Sequence, residues 1–61
     1  MTDKPLPEAL RKEIFLALAE AQGQGMSPAA SRELVAGRFG VSEGRVRKVE
    51  REGLDKDWPP L

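Results

Sequence analysis

Cysteine and histidine are both absent from this 61-residue chain, and only Phe15, Phe39 and Trp58 are aromatic. Without cysteine no disulfide can staple a small fold, and without either residue the usual ligands of a structural zinc are missing. The same absences remove the commonest catalytic base and nucleophile. A catalytic centre would need Ser, Lys or paired carboxylates held in a cleft, and a domain this small has little room for one. No enzyme, metal or cofactor is therefore expected. Long apolar runs are lacking too: the longest, "IFLALA", falls far short of the roughly 20 residues a membrane span needs. The start, "MTDKPLPEALRKE", is polar and mixed in charge, unlike a signal peptide. A cytoplasmic chain without membrane contact is the expectation, and the absence of cysteine agrees with a reducing compartment. Strand alternation, internal repeats and low-complexity tracts are also absent.

A chain of this length buries only about 60% of the surface its unfolded form exposes, so tight helix packing or a partner chain must stabilise it. Three helical patterns supply the packing. In the first, Leu10, Ile14, Ala17, Leu18 and Ala21 recur on one face, and Phe15, Leu16 and Ala19 widen it. Pro7 suits the first turn, and "QGQGM" ends the helix. The broad face fits a central helix covered by the other two, or a surface that pairs with a second copy. Ser27 caps a second helix with Pro28 at its first position; Leu34, Val35 and Phe39 are its expected buried face. Gly37 costs about 1 kcal/mol against Ala there, tolerable on an exposed face. Gly40 stops this helix, Val41 tucks inward and Ser42 caps a third helix with Val46 and Val49 on its inner side. Leu54 is expected to close that helix over Gly53, and Trp58 to fold back on the core. The chain reads as one all-α, three-helix helix-turn-helix domain over residues 1–61. Its helices span about 7–22, 28–39 and 42–53, with an N-terminal arm (1–6) and an irregular tail (54–61).

A DNA-binding helix-turn-helix needs a small residue where its first helix faces the second, a turn glycine four residues on, an apolar residue next, and apolar inner positions beyond. Ala36, Gly40, Val41, Val46 and Val49 meet these needs in order, with Val35 and Phe39 completing the first helix. The stretch "FGVSEGRVRKVEREGL" resembles the C-terminal helix-turn-helix of primary bacterial sigma factors. There the run is Phe/Leu-Gly-Val-Ser/Thr, two polar residues, Arg, Val/Ile, Arg, a polar residue, Val/Ile, Glu, and later Leu. The resemblance covers residues 32–54 and no other sigma region. It implies a recognition helix in the major groove of a promoter element, with Arg45, Arg47 and Glu50 on matching positions. Glu43 and Gly44 stand where sigma factors commonly carry Arg then Glu, and Lys48 where they commonly carry Gln. These are positions implied to meet bases, so the scaffold transfers and the target sequence does not.

Charge sharpens the question. The chain is formally neutral, yet Arg38, Arg45, Arg47, Lys48 and Arg51, five of its ten basic residues, fall within Gly37–Gly53. Residues 31–53 carry six basic and four acidic groups, net +2, while the flanking segments 1–30 and 54–61 are each net −1. With Val46 and Val49 inward, Arg47, Lys48 and Arg51 fall on adjacent outward positions and Arg45 at their margin. Arg47 and Lys48 are candidates for base edges; Arg45, Arg51 and Arg38 for phosphates. Ser42 and Gly44 would allow close approach, and Glu43 could accept from a cytosine amino group. The alternative is a solvated face braced by Glu43–Arg47 and Arg47–Glu50 pairs.

Two functions follow. One is a small sequence-specific protein that binds double-stranded DNA, a bacterial transcriptional regulator. Because +2 is thin for non-specific affinity, it would work as a homodimer through the first helix, reading half-sites roughly 34 Å apart, or beside a partner. The other is a protein-interaction module for a transcription or replication partner. The zero net charge, the apolar first helix and the "WPPL" tail support that second reading.

Overall fold

Three times along the chain a helix is stopped by the same backbone device. Gly25 (φ 96°), Gly40 (φ 67°) and Asp57 (φ 52°) take the left-handed conformation. The residue after each donates its N–H five residues back: Met26 to the Ala21 carbonyl (3.2 Å), Val41 to Ala36 (3.0 Å) and Trp58 to Gly53 (3.0 Å). This closure satisfies carbonyls that the helix end leaves open and returns an apolar side chain toward the bundle. Trp58 is buried, while Met26 and Val41 are half-buried.

The helix starts are equally local. Ser27 and Ser42 accept through Oγ from the backbone N–H of Ala30 (3.2 Å) and Arg45 (3.1 Å). Each satisfies one of the donors a helix start leaves unpaired. The first helix begins after Pro7, which stays outside it as the cap residue and accepts the Arg11 N–H through its carbonyl (3.0 Å). The computed structural model describes residues 6–60. They form α1 (Glu8–Gly23), α2 (Pro28–Phe39) and α3 (Glu43–Lys56), each packed on the other two. The all-α, three-helix expectation is met. Of the expected N-terminal arm, residues 1–5 lie outside the described residues. No helix among the described residues is long and apolar enough to cross a membrane.

The core joins Ile14, Phe15 and Leu18 of α1, Val35 and Ala36 of α2, Val46 and Val49 of α3, and Trp58. Full burial of each large apolar side chain contributes about 1.5–3 kcal/mol, so a handful of contacts decides whether the chain folds. Leu34, expected inside, is 51% exposed. The inward stripe of α2 instead runs through Ser31, Val35 and Ala36, which places Leu34 on its flank. Ser31 is fully buried without an unmet hydrogen bond. Its hydroxyl donates to the Pro28 carbonyl (2.8 Å) and accepts from Gln22 Nε2 (3.1 Å).

The end of α3 departs most from expectation. Gly53 does not stop the helix; residues 54–56 continue it, and Leu54 is 55% exposed instead of closing the end. The reason lies across the bundle. A Cβ on Gly53 would sit 2.7 Å from Phe15 Cγ, and closer still to Cδ1 and Cε1. The glycine is there because the Phe15 ring occupies the place of its side chain. Trp58 then meets that ring edge-on, with centroids 6.1 Å apart and planes at 80°. The ammonium groups of Lys12 and Lys56 lie 5.9 and 5.6 Å from the Trp58 ring centre.

An ion-pair cluster runs beside this contact. Arg11 Nε lies 2.8 Å from Glu52 Oε1, off the line of a good hydrogen bond, while its Nη2 donates to Oε2 (3.3 Å) and its Nη1 to the Leu6 carbonyl. Lys56 Nζ donates to Glu52 Oε2 at 2.8 Å. The Lys56 hydrogen bond, aided by Arg11 and opposed by partial burial, holds the Glu52 carboxyl below the usual glutamate range.

Two outcomes follow. Gly53→Ala should destabilise the fold by about 1–3 kcal/mol through overpacking, despite the roughly 1 kcal/mol by which Ala favours a helix. Phe15→Leu combined with it should recover part of that loss, a coupling that urea denaturation of the four-member cycle measures. For Glu52, a folded-state pKa below the unfolded one contributes stability above the ordinary glutamate range, lost as pH falls through the folded value. Urea midpoints measured from neutral to strongly acid pH should therefore fall less steeply in Glu52→Gln than in the wild type.

Candidate nucleic-acid interface

Residues three and four apart share a helix face, so Gly44, Arg47, Lys48 and Arg51 form one strip along α3. With Val46 and Val49 buried beneath, all four are exposed. They line an open trough of ≈ 420 Å³, closed on one side by Arg32, Glu50 and Leu54. The trough is shallow and basic, suited to a convex anionic surface more than to an enclosed small molecule. Among the described residues no group of three or more acidic side chains is placed to hold a metal ion.

The acidic residues of α3 explain why the strip stays positive in a neutral chain. The expected Arg47–Glu50 pair does not form. Glu50 Oε1 instead accepts from Arg32 Nε of α2 (3.0 Å), and its Oε2 accepts from Gln22 Nε2 of α1 (3.3 Å). Through Gln22 this network reaches the buried Ser31 hydroxyl. Glu52, although one turn beyond Lys48, is taken up by Arg11 of α1 and by Lys56. Nor do Glu43 and Arg47 pair. Among the described residues, Arg47, Lys48 and Arg51 form no ion pair. Cations of α1 and α2, and one at the end of α3, thus neutralise Glu50 and Glu52 and leave these three without an ion-pair partner.

The other candidates divide. Ser42 is exposed; its oxygen accepts from the Arg45 N–H, and its hydroxyl hydrogen is still able to donate outward. Glu43 sits exposed in the first turn of α3, where a carboxylate complements the helix dipole. A Cβ on Gly44 would meet only Ser42 Oγ, at 3.9 Å, so nothing inside the protein requires glycine there. Arg45 is half-buried and already engaged within the protein. Arg38 is exposed but separated from the strip: it lines a crevice between α1 and α2 with Glu13, Leu16, Ala17, Glu20 and Phe39. Arg32 is the trough residue that sequence reasoning did not single out. It lies eighteen residues from its partner Glu50, outside any within-helix spacing rule.

Comparison of the chain with protein-family models, with curated proteins and with solved structures returned no match.

Proposed function

We propose that the chain binds double-stranded DNA by laying α3 in the major groove and acts as a small transcriptional regulator. The observation that carries this reading is the Arg47–Lys48–Arg51 strip, which forms no ion pair while Glu50 and Glu52 are held by other cations. A basic strip on a helix that follows a three-residue turn fits a groove about 12 Å wide. Arg47 and Lys48, at the middle of the strip, reach base edges, and Arg51 a phosphate. The Ser42 hydroxyl donates to a phosphate, and Glu43 meets a cytosine amino group or excludes other bases. Arg45 serves a phosphate only by exchanging the contact it already makes. Arg38, on the α1–α2 side, has no part in this interface. Gly44 has a role that the free protein does not supply: without a Cβ, the first turn of α3 comes closer to the duplex. The sigma-like turn supports the regulatory part of the proposal, and a bacterial cytoplasm goes with it.

Selection from a random duplex pool tests the reading. Wild-type protein should enrich a motif, and an Arg47→Ala, Lys48→Ala variant of unchanged helicity should not. Wild-type affinity should fall steeply with salt, and each lost phosphate contact should reduce the slope by about 0.9. Absence of enrichment at low salt would overturn the proposal. Two glycine variants isolate the approach of the helix. Gly37→Ala and Gly44→Ala, both on exposed helix faces, should each stabilise the fold by up to about 1 kcal/mol. Only Gly44→Ala should weaken DNA binding. Equal affinities for the two variants would remove Gly44 from the interface.

A further inference from the structure

We propose that the face formed by α1 and α2, away from α3, is a homodimer interface whose two copies carry their α3 strips outward in opposite directions. Among the described residues three large apolar side chains are conspicuously exposed, and two of them, Leu16 (43%) and Leu34 (51%), belong to this face. A crevice of ≈ 400 Å³ holds Leu16 and the half-buried Phe39, and a smaller one of ≈ 100 Å³ beside it holds Leu34. The two share Glu20 and Arg38, so they form one continuous surface. No α3 residue lines either part.

Charge decides the occupant. Glu13 and Glu20 stand on the α1 side of the crevice and Arg38 on the α2 side. None of the three forms an ion pair among the described residues. A surface with both signs around an apolar centre is complementary to itself under a two-fold axis. Arg38 of each copy then faces Glu20 of the other, and the leucines meet between them. A partner of one charge sign would leave one wall unmatched. The pairing also gives a small fold without disulfides the additional apolar burial that its length denies it.

Topology sets the consequence. Each helix packs on both others, so the α1–α2 face and the outer face of α3 lie back to back. Joining two copies through α1 and α2 turns their basic strips away from each other. Such a dimer cannot set both strips on neighbouring half-sites of one straight duplex; it holds two duplexes, or two distant segments of one. This bridging rests on the DNA reading above, whereas the dimer itself does not.

Sedimentation equilibrium of the full chain without DNA, from low to high micromolar concentration, tests the interface separately. The wild type should reach twice the chain mass. Arg38→Glu should weaken association by roughly tenfold or more, and Arg38→Glu with Glu20→Arg should restore it. Leu34→Glu should abolish it, with Trp58 fluorescence and helicity unchanged. A monomer at every concentration overturns the proposal and leaves the crevice to a different protein. A dimer indifferent to both Arg38→Glu and Leu34→Glu overturns it as well, by moving the interface elsewhere. Bridging is read by energy transfer between two differently labelled duplexes. Transfer should appear with the wild type and vanish with Leu34→Glu, while single-duplex binding by that variant persists.

Discussion

The fold depends on the absence of one side chain. Gly53 lets the Phe15 ring lie directly on the α3 backbone, and that approach fixes how far α3 stands from α1. With the helices this close, Arg11 reaches Glu52 across the gap, and Glu52 in turn is within reach of Lys56 one turn on. The carbonyl of Gly53 also accepts the Trp58 N–H, which turns the chain back and brings the indole edge-on to the same Phe15 ring. One small residue thus coordinates a packing contact, an ion cluster and the closure of the C-terminal end. A domain with so small a core has few alternatives, because each such contact is a sizeable share of a marginal total.

The same economy governs charge. An isolated α3 would carry nearly balanced charges, and the simplest expectation is that they neutralise one another along the helix. Packing redistributes them. Glu50 is bound from α2 and α1, Glu52 from α1 and the last turn of α3, and the cations left over lie together on the outward face. A formally neutral protein thereby presents a local positive surface without the self-repulsion of a large net charge. The ion pairs that accomplish this are partly exposed and individually contribute little to stability. Their importance is in deciding which side of α3 stays positive.

Most of the fold was legible because its punctuation is local. Ser27 with Pro28, Gly40 and Ser42 each act through bonds spanning a few residues, and the predicted bounds of α2 match the structure. The inward positions of Val46 and Val49 followed from helical period alone. What escaped was set by contacts between helices. Gly53 looks like a helix stop unless the ring of Phe15 is known to lie over it, and Asp57, the residue that does take the left-handed turn, is less conspicuous there than glycine. Leu34 looked buried because the polar Ser31 was not expected to hold the inner stripe, which it does through hydrogen bonds to Pro28 and Gln22. In the candidate site, the exposed strip was readable from spacing. The pairing of Glu50 with Arg32 was not, since no helical rule joins residues on different helices.

These two lessons meet in Arg38. By sequence it belongs with the other basic residues near the turn, and a count of charge would assign it to the same anionic partner. In three dimensions it stands beside carboxylates of α1, in a crevice that no α3 residue lines. Five neighbouring cations in the sequence are therefore not one patch. Arg47, Lys48 and Arg51 face outward from α3, Arg45 is engaged within the protein, and Arg38 borders an apolar crevice. A three-helix bundle has only a few faces, and a helix that offers its outer strip to one ligand leaves the opposite pair free for another. The division of basic residues between those faces gives one small neutral chain two separate surfaces, so the DNA contact and the dimer proposed above would not compete.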